Sequence, residues 1–484
     1  MNVSTLEPPR VAWPPSLLPH PGHPAGGTDR AVLPDLARVE ALLARTSDVT
    51  GAPAGPELAD VMRELDALSL PTGSVVMISL PNGVRVLRWL FAALLTGHVP
   101  ALVPPSTAAA RWDEVTARFR PALVVGSPAR LGGITGTPLE VAGTWAVRPA
   151  AAVRLHGPGQ LILLTSGTSG AATGCLHDAS ALLHNADLHA EALGVTGDDT
   201  LLVSLPVHYS FALVAQVFAA LRTGAALALS RPPFSVPGYL EQLAAHRVTV
   251  SSLTPTLVKD LVAAGVGTPD TLRVLSVGGQ ALEPALTAAL LAGRPGGELY
   301  LTYGLTEAGP RVATLAAHRE PAHRYASIGR PLSGVGLSLR PDPSGGRELL
   351  VSSPTVYRER IGAAAPGCRR GALVAPGVLA TGDLAEAEDG YLFVRGRTTD
   401  FAVLRGEKVS LASVRRTAKS LEGVVHAATR IDPDGDAYRI SLFVDGAAPP
   451  DAAGLRRRLN TLLSPHERPA EVEVLPAPAD MLLK

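Results

Sequence analysis

The feature that most constrains the fold is a repeated alternation of short, mainly apolar runs with longer runs of helical spacing. Ser74 to Leu80 reads as a buried strand, closed by Pro81-Asn82-Gly83. An apolar helix then spans about Val84 to Leu95 and ends at Gly97, and Ala101 to Val103 opens the next strand. The pattern recurs at Ala122 to Val125. It resumes at Leu201 to Leu205, Ala225 to Leu229, Val248 to Leu253, Leu272 to Val277 and Glu298 to Thr302, with helices such as Phe211 to Leu221 and Pro255 to Ala264 between them. Short, mainly apolar strands that alternate with helices are how parallel sheets covered on both faces read. The expected fold class is therefore α/β, with mainly parallel sheets covered by helices.

The two ends of the chain read differently. The first thirty residues are rich in Pro and Gly without an apolar signal core and read as an irregular leader. Helices are expected from Leu33 to about Leu68, around the break at Gly51 to Pro56. From about Gly329 to Gly396 the strands shorten and turn residues accumulate, which predicts a β-rich subdomain. Thr398 to Lys484 carries its own pattern, with strands at Val424 to Thr429 and Tyr438 to Val444 and helices at Leu411 to Leu421 and Ala452 to Leu463. The expected division is a large unit over residues 1–397 and a small α+β unit over 398–484. Arg456 to Arg458 read as a solvated helix face.

Composition excludes several classes of function. Lys plus Arg and Asp plus Glu number 43 each in 484 residues, so no net field draws the chain to nucleic acid or an anionic membrane. No run is long and uncharged enough to span a bilayer. The only cysteines, Cys175 and Cys368, have no metal-ligand spacing and imply no disulfide framework, and Cys175 reads as a packing residue. The expected location is the cytoplasm.

Three clusters carry chemistry. The first is Gln160 to His177, QLILLTSGTSGAATGCLH, which reads as a strand, a loop of small residues and a helix from about Asp178 to Leu193. Thr165, Ser166, Gly167, Thr168, Ser169, Gly170 and Gly174 offer backbone N–H groups, hydroxyls and close approach, the properties that wrap a polyphosphate. The helix N-terminus is expected to add its dipole to that site. The loop is not GxxxxGK[ST], because Gly174 is followed by Cys175 and Leu176. Second, Tyr303-Gly304-Leu305-Thr306-Glu307 follows a predicted strand, where sheets present ligand groups; Tyr offers a flat face, Thr a hydroxyl and Glu a hard oxygen ligand for Mg²⁺. Third, Thr381-Gly382-Asp383 and Gly396-Arg397-Thr398-Thr399-Asp400 supply a carboxylate that can accept both hydroxyls of a ribose and an arginine that can bridge ribose and phosphate. Taken alone, the first cluster also reads as a Gly/Ser linker, a reading its flanking strand and helix patterns oppose, and the second and third read better as ordinary polar turns.

In combination and in this order, the clusters resemble the signatures of the adenylate-forming superfamily: acyl- and aryl-CoA synthetases, peptide-synthetase adenylation domains and luciferases. Thr165 to Gly174 match the phosphate loop, with Ala172 and Thr173 in place of the usual Pro and Lys. Tyr303 to Glu307 match Tyr-Gly-x-Thr-Glu without departure. The resemblance implies that Glu307 holds Mg²⁺, that Tyr303 and Gly304 border the adenine, and that Gly278 and Gly279 wall the adenine and acid pockets. It also implies that Asp383 binds ribose, that Arg397 precedes the hinge to a mobile C-terminal lid, and that Thr306 belongs to the catalytic set. His208 matches a gate beside the acyl carboxylate. Thr399 and Val403 replace the usual hinge acid and downstream Lys. The chain has four lysines, Lys259, Lys408, Lys419 and Lys484; the catalytic lysine maps to Lys484 with two extra residues, or to Met481 without a gap.

The implied activity is ATP- and Mg²⁺-dependent activation of an acyl or aryl acid to its adenylate, followed by thioester formation on CoA or on the phosphopantetheine of a free-standing carrier protein. Two alternatives stand beside it. One is a diazotase that activates nitrite toward an arylamine; the other is a nucleotide-binding regulator without catalysis.

Overall fold

The computed structural model describes residues 34–51, 55–151, 153–165, 173–230, 233–342, 346–362, 371–398, 401–404, 407–432, 437–444 and 451–477. Two eight-stranded sheets form its bulk. The first runs Thr46–Asp48, Ala226–Leu229, Thr200–Val203, Val250–Leu253, Val274–Gly278, Glu298–Gly304, Arg311–Ala316 and Arg330–Pro331. Its first six strands are parallel, and the last two turn antiparallel. The second sheet is parallel at its centre, Gln160–Thr165, Val99–Leu102, Val75–Ile78 and Leu123–Val125, with antiparallel strands on both flanks.

One continuous apolar core links both sheets through the helices Val84–Leu95 and Ala179–Leu193. Ten of the twelve residues of Val84–Leu95 are buried, including Trp89 and Phe91 with no exposure at all. Apart from Arg85 and Arg88, the latter paired with Glu57, the helix is apolar, so an interior position between layers is the arrangement its sequence allows.

The expected β-rich region is a five-stranded antiparallel sheet of Gly336–Pro341, Arg347–Ser352, Val378–Glu388, Ala372–Ala375 and Tyr391–Arg397. Its longest hairpin turns at Asp389-Gly390, where both residues have positive φ (47° and 77°), the geometry that Asp-Gly favours in a two-residue hairpin. Arg330–Pro331 and Glu359–Ile361, which fall within the same stretch of sequence, instead join the edges of the two large sheets.

The C-terminal region has an apolar core of its own, built by the helices Leu411–Lys419 and Ala452–Leu462 against Val424–Ile431 and Tyr438–Val444. A third strand, Glu471–Pro476, pairs parallel to Tyr438–Val444; its EVEV alternation puts Val472 and Val474 against the core and Glu471 and Glu473 outward. Arg456, Arg457 and Arg458 are exposed, as expected of a solvated face. No described helix is long and apolar enough to cross a membrane.

One expectation is corrected. Thr173–Asp178 is a strand, not the run-up to a helix, and it pairs antiparallel with Gln160–Thr165 from Thr165↔Thr173 to Gln160↔Asp178. The small-residue loop therefore closes a β-hairpin. The helix Ala179–Leu193 starts at the opposite end of that hairpin, about 17 Å away at the usual rise per strand residue, and its dipole does not reach the loop. The cause lies in Gly174, Cys175, Leu176 and His177, all buried: they fill a sheet position between Gln160–Thr165 and Glu359–Ile361.

Candidate active site

The second and third sequence clusters converge at the C-terminal end of Glu298–Gly304. Tyr303 donates its hydroxyl to Asp383 Oδ2 at 2.5 Å, across 80 residues of sequence. Asp383 is buried, and its other oxygen accepts from Arg397 Nε at 3.2 Å. That pair follows from hairpin register, since Asp383 and Arg397 stand directly opposite on Val378–Glu388 and Tyr391–Arg397. Opposite charges at facing positions stabilise a hairpin by roughly 0.2–1 kcal/mol, and here they also orient the carboxylate. The strand beneath is fixed by Thr381 Oγ1 donating to Leu349 O at 2.8 Å and by Gly382 N donating to Glu348 Oε1 at 3.0 Å.

Thr306 and Glu307 lie on a single 3₁₀ turn after the strand. Thr306 Oγ1 is 2.9 Å from Ser210 Oγ, the first residue of the helix that follows His208. His208 is half-buried, and its ring meets Tyr209 edge-on at 4.6 Å. The same helix widens into a π segment at Leu213–Phe218, an irregularity often found beside sites. Gly304 is required by close approach, because a Cβ there would lie 1.8 Å from Pro310 O. Gly278 is required for the same reason: a Cβ would stand 2.3 Å from Thr302 Oγ1, 3.1 Å from Arg311 Nη1 and 3.2 Å from Phe211 Cε1. Gly279, beside it, is exposed with φ +92°.

Glu307 is buried and does not stand alone. Its Oε1 accepts from Arg360 Nη2 at 3.3 Å, and the same Nη2 donates to Gly371 O at 2.8 Å. The Arg360 guanidinium carbon lies 5.6 Å from the Tyr357 ring centroid, and Tyr357 Oη also donates to Gly371 O at 2.9 Å. Burial depresses the Arg360 pKa, but the Glu307 charge and the Tyr357 bond outweigh it, so the pKa ends above its ordinary value. Burial, reinforced by Glu307, drives the Cys175 thiol well up. Cys175 is a neutral packing residue, as its sequence position suggests.

Of the hairpin loop, the described residues are Thr165, whose Oγ1 lies 2.5 Å from Thr173 Oγ1, and Gly174, which is buried against Phe119. Ser166, Gly167, Thr168, Ser169 and Gly170 lie outside the described residues, as do Met481 and Lys484. The structure thus brings together Tyr303, Thr306, Glu307, Asp383 and Arg397, with Gly278 and His208 on elements alongside. Sequence reasoning missed Ser210, Arg360 and Arg311. Arg360 sits in an unpatterned run, VYRERI, and nothing but a sheet pairing puts it beside Glu307.

The AMP-binding enzyme family model matches residues 57–359 of this chain. The chain belongs to the AMP-binding enzyme family. Among family relatives, 2-succinylbenzoate--CoA ligase of Bacillus pumilus is 30% identical over 288 residues, which are 56% of each chain. L-proline--[L-prolyl-carrier protein] ligase of Streptomyces coelicolor is 29% identical over 390 residues, covering 73% of this chain and 71% of the relative. Salicylyl-CoA synthase / salicylate adenylyltransferase of a Streptomyces species is 29% identical over 426 residues, 77% of this chain and 75% of the relative. The first of these matches spans about half the length of the curated relative. In fold, the chain is similar to O-succinylbenzoate coenzyme A synthetase from Bacillus subtilis, solved in complex with AMP, with a TM-score of 0.69 at 21% identity over 93% of this chain and 95% of that one.

Proposed function

We propose that this AMP-binding family member activates a carboxylic acid with ATP to an acyl-adenylate, releasing pyrophosphate, and then passes the acyl group to a thiol. The observation that carries this reading is the Tyr303–Asp383–Arg397 unit. A buried carboxylate held in place by a tyrosine and an arginine suits a ribose with a flat base next to it. The relatives named above, ligases of acids onto CoA or a carrier protein, support the same reaction class.

In this reading Asp383 accepts the ribose hydroxyls, Tyr303 and Gly304 border the base, and Arg397 bridges ribose and phosphate. Gly278 and Gly279 let the backbone approach the base and the acid, and the hairpin loop from Thr165 to Gly174 takes the polyphosphate. Thr306, oriented by Ser210, offers a hydroxyl toward the phosphate end, and His208 guards the acid carboxylate. Lys484, or no residue if Met481 occupies that place, supplies the cation for attack on the α-phosphate.

Glu307 fits a magnesium ligand: Oε2 has no hydrogen-bond partner among the described residues, while Oε1 is held by Arg360. Those residues hold no cluster of three or more His, Cys, Asp or Glu side chains, so an ion there would rest on one carboxylate plus substrate phosphates and water, the usual Mg²⁺ arrangement. When bound, the ion would neutralise charge on those phosphates.

We place the hinge between the large domain and a C-terminal lid after Arg397, the thiol acceptor on CoA or a separate carrier protein, and the protein in the cytoplasm. The test is pyrophosphate release with ATP and Mg²⁺ against aryl and alkyl acids, with nitrite included, with and without an arylamine. Acid-dependent release is the expected result. Release with nitrite alone replaces this reading with the diazotase, and silence alongside measured ATP binding replaces it with the regulator.

A further inference from the structure

Resting on that acid-activating reading, we propose that Arg311 sets its substrate class by pairing with a second carboxylate on the acid, so that the preferred substrates are dicarboxylic acids. Arg311 opens the strand Arg311–Ala316, four residues after Glu307, and is only 3% exposed. Its backbone is clamped on both sides: the amide donates to Asn185 Oδ1 at 2.9 Å, and the carbonyl accepts from Asn185 Nδ2 at 2.8 Å. The side chain is thereby directed toward the wall that Gly278, Thr302 and Phe211 share. The guanidinium carbon lies 4.2 Å from the Phe211 ring centroid, one residue past Ser210 on the helix that carries it.

What makes this arginine unusual is what it lacks. Of its five N–H donors, the described structure pairs one, Nη1 to Thr302 Oγ1 at 2.5 Å, and Nε is buried with no partner. No carboxylate faces it among the described residues. The neighbouring imidazole, His189, is buried, also has an unpartnered Nδ1, and is neutral; burial and the Arg311 charge hold its pKa at about 3. Arg294, 9% exposed, shows the structural alternative: its Nε and Nη2 are tied to Thr268 Oγ1 and Leu272 O.

Burial lowers the Arg311 pKa only to about 10, so the group stays charged at neutral pH. An unpaired buried cation is unfavourable unless an anion meets it. The planar fork of a guanidinium matches a carboxylate in two-point fashion. Phe211 gives that carboxylate an apolar wall, and the missing side chain at Gly278 leaves the room that Arg311 Nη1 occupies.

The experiment measures ATP–pyrophosphate exchange on matched acids, glutarate against butyrate and isophthalate against benzoate, with the wild type, Arg311→Met and Arg311→Lys. The wild type is expected to favour each diacid. Arg311→Met is expected to lose about 100- to 1,000-fold in kcat/KM on diacids, the scale of a charge-assisted two-point contact, with monoacid rates and ATP KM unchanged. Arg311→Lys should fall between. Equal losses on both acid classes, a wild-type preference for monoacids, or weakened ATP binding with selectivity intact would each overturn the proposal. If Arg311→Met does not fold, Arg311→Lys carries the same comparison. Thermal shift with glutarate or isophthalate alone separates this proposal from the activation reading. A diacid-dependent rise that Arg311→Lys reduces keeps the anion site even if no acid supports exchange; no rise, together with no exchange, removes both.

Discussion

Two fully buried imidazoles should make the protein lose stability between pH 7 and pH 5, before its carboxylates begin to titrate. His177 and His189 are each 1% exposed. Burial holds His177 at about 4 and His189 at about 3, against an ordinary value of 6.5. Both folded-state values are depressed, so the native state binds fewer protons than the unfolded one across that window. Stability is fully present above 6.5 and falls as pH drops toward the folded values. At pH 5 each group has lost about 1.5 pH units of linkage, or about 2 kcal/mol, and the two together about 4 kcal/mol. That is a large share of a typical net stability of roughly 5–15 kcal/mol. Asp199, Glu298 and Glu320 also have depressed pKa values, but their contributions vanish only as pH falls through the carboxylate range. The assay is native-state hydrogen exchange of the segments around Thr173–Asp178 and Ala179–Leu193 from pH 7.5 to 5, corrected for intrinsic rates. His189→Leu should remove about half of the pH-5 loss, because the imidazole makes no hydrogen bond through Nδ1 that leucine would break. Opening free energies that stay flat to pH 5, or that fall only below pH 4, would refute the reasoning.

Further expectations concern the site. Asp383→Asn keeps the shape but removes the charge that meets Tyr303 and Arg397, and should weaken ATP binding by about 10- to 100-fold, the worth of one charged hydrogen bond, as read by calorimetry. Arg360→Gln removes the cation that competes for Glu307 and should lower the Mg²⁺ concentration needed for half-maximal pyrophosphate release; an unchanged Mg²⁺ dependence would show that the ion pair and the metal do not share the carboxylate. Lys484→Ala should abolish adenylate formation with nucleotide affinity retained, whereas full activity would move the catalytic cation elsewhere.

Most of the architecture was legible because its signals are local. The helix Val84–Leu95 begins and ends where Gly83 and Gly97 punctuate an apolar run, and the parallel strands announce themselves as short β-branched or leucine stretches between helices. The strand Thr173–Asp178 was not legible, because TGCLHD has neither alternation nor β-branched density. It is a strand because both of its neighbours in the sheet supply hydrogen bonds. The same reason explains the missed site residues. Tyr303, Glu307, Asp383 and Arg397 stand in recognisable motifs, but Arg360 meets Glu307 and Arg311 meets Phe211 only through sheet pairing and packing between distant segments. Spacing in sequence carries no trace of such contacts.

The most direct measurement follows oxygen. With a carboxylic acid labelled by ¹⁸O in its carboxylate, attack on the α-phosphate of ATP and subsequent acyl transfer to a thiol leave one labelled oxygen in the AMP, which mass spectrometry reads. The account predicts one ¹⁸O per AMP formed, in step with pyrophosphate release. Unlabelled AMP, or ADP as the product, would contradict it.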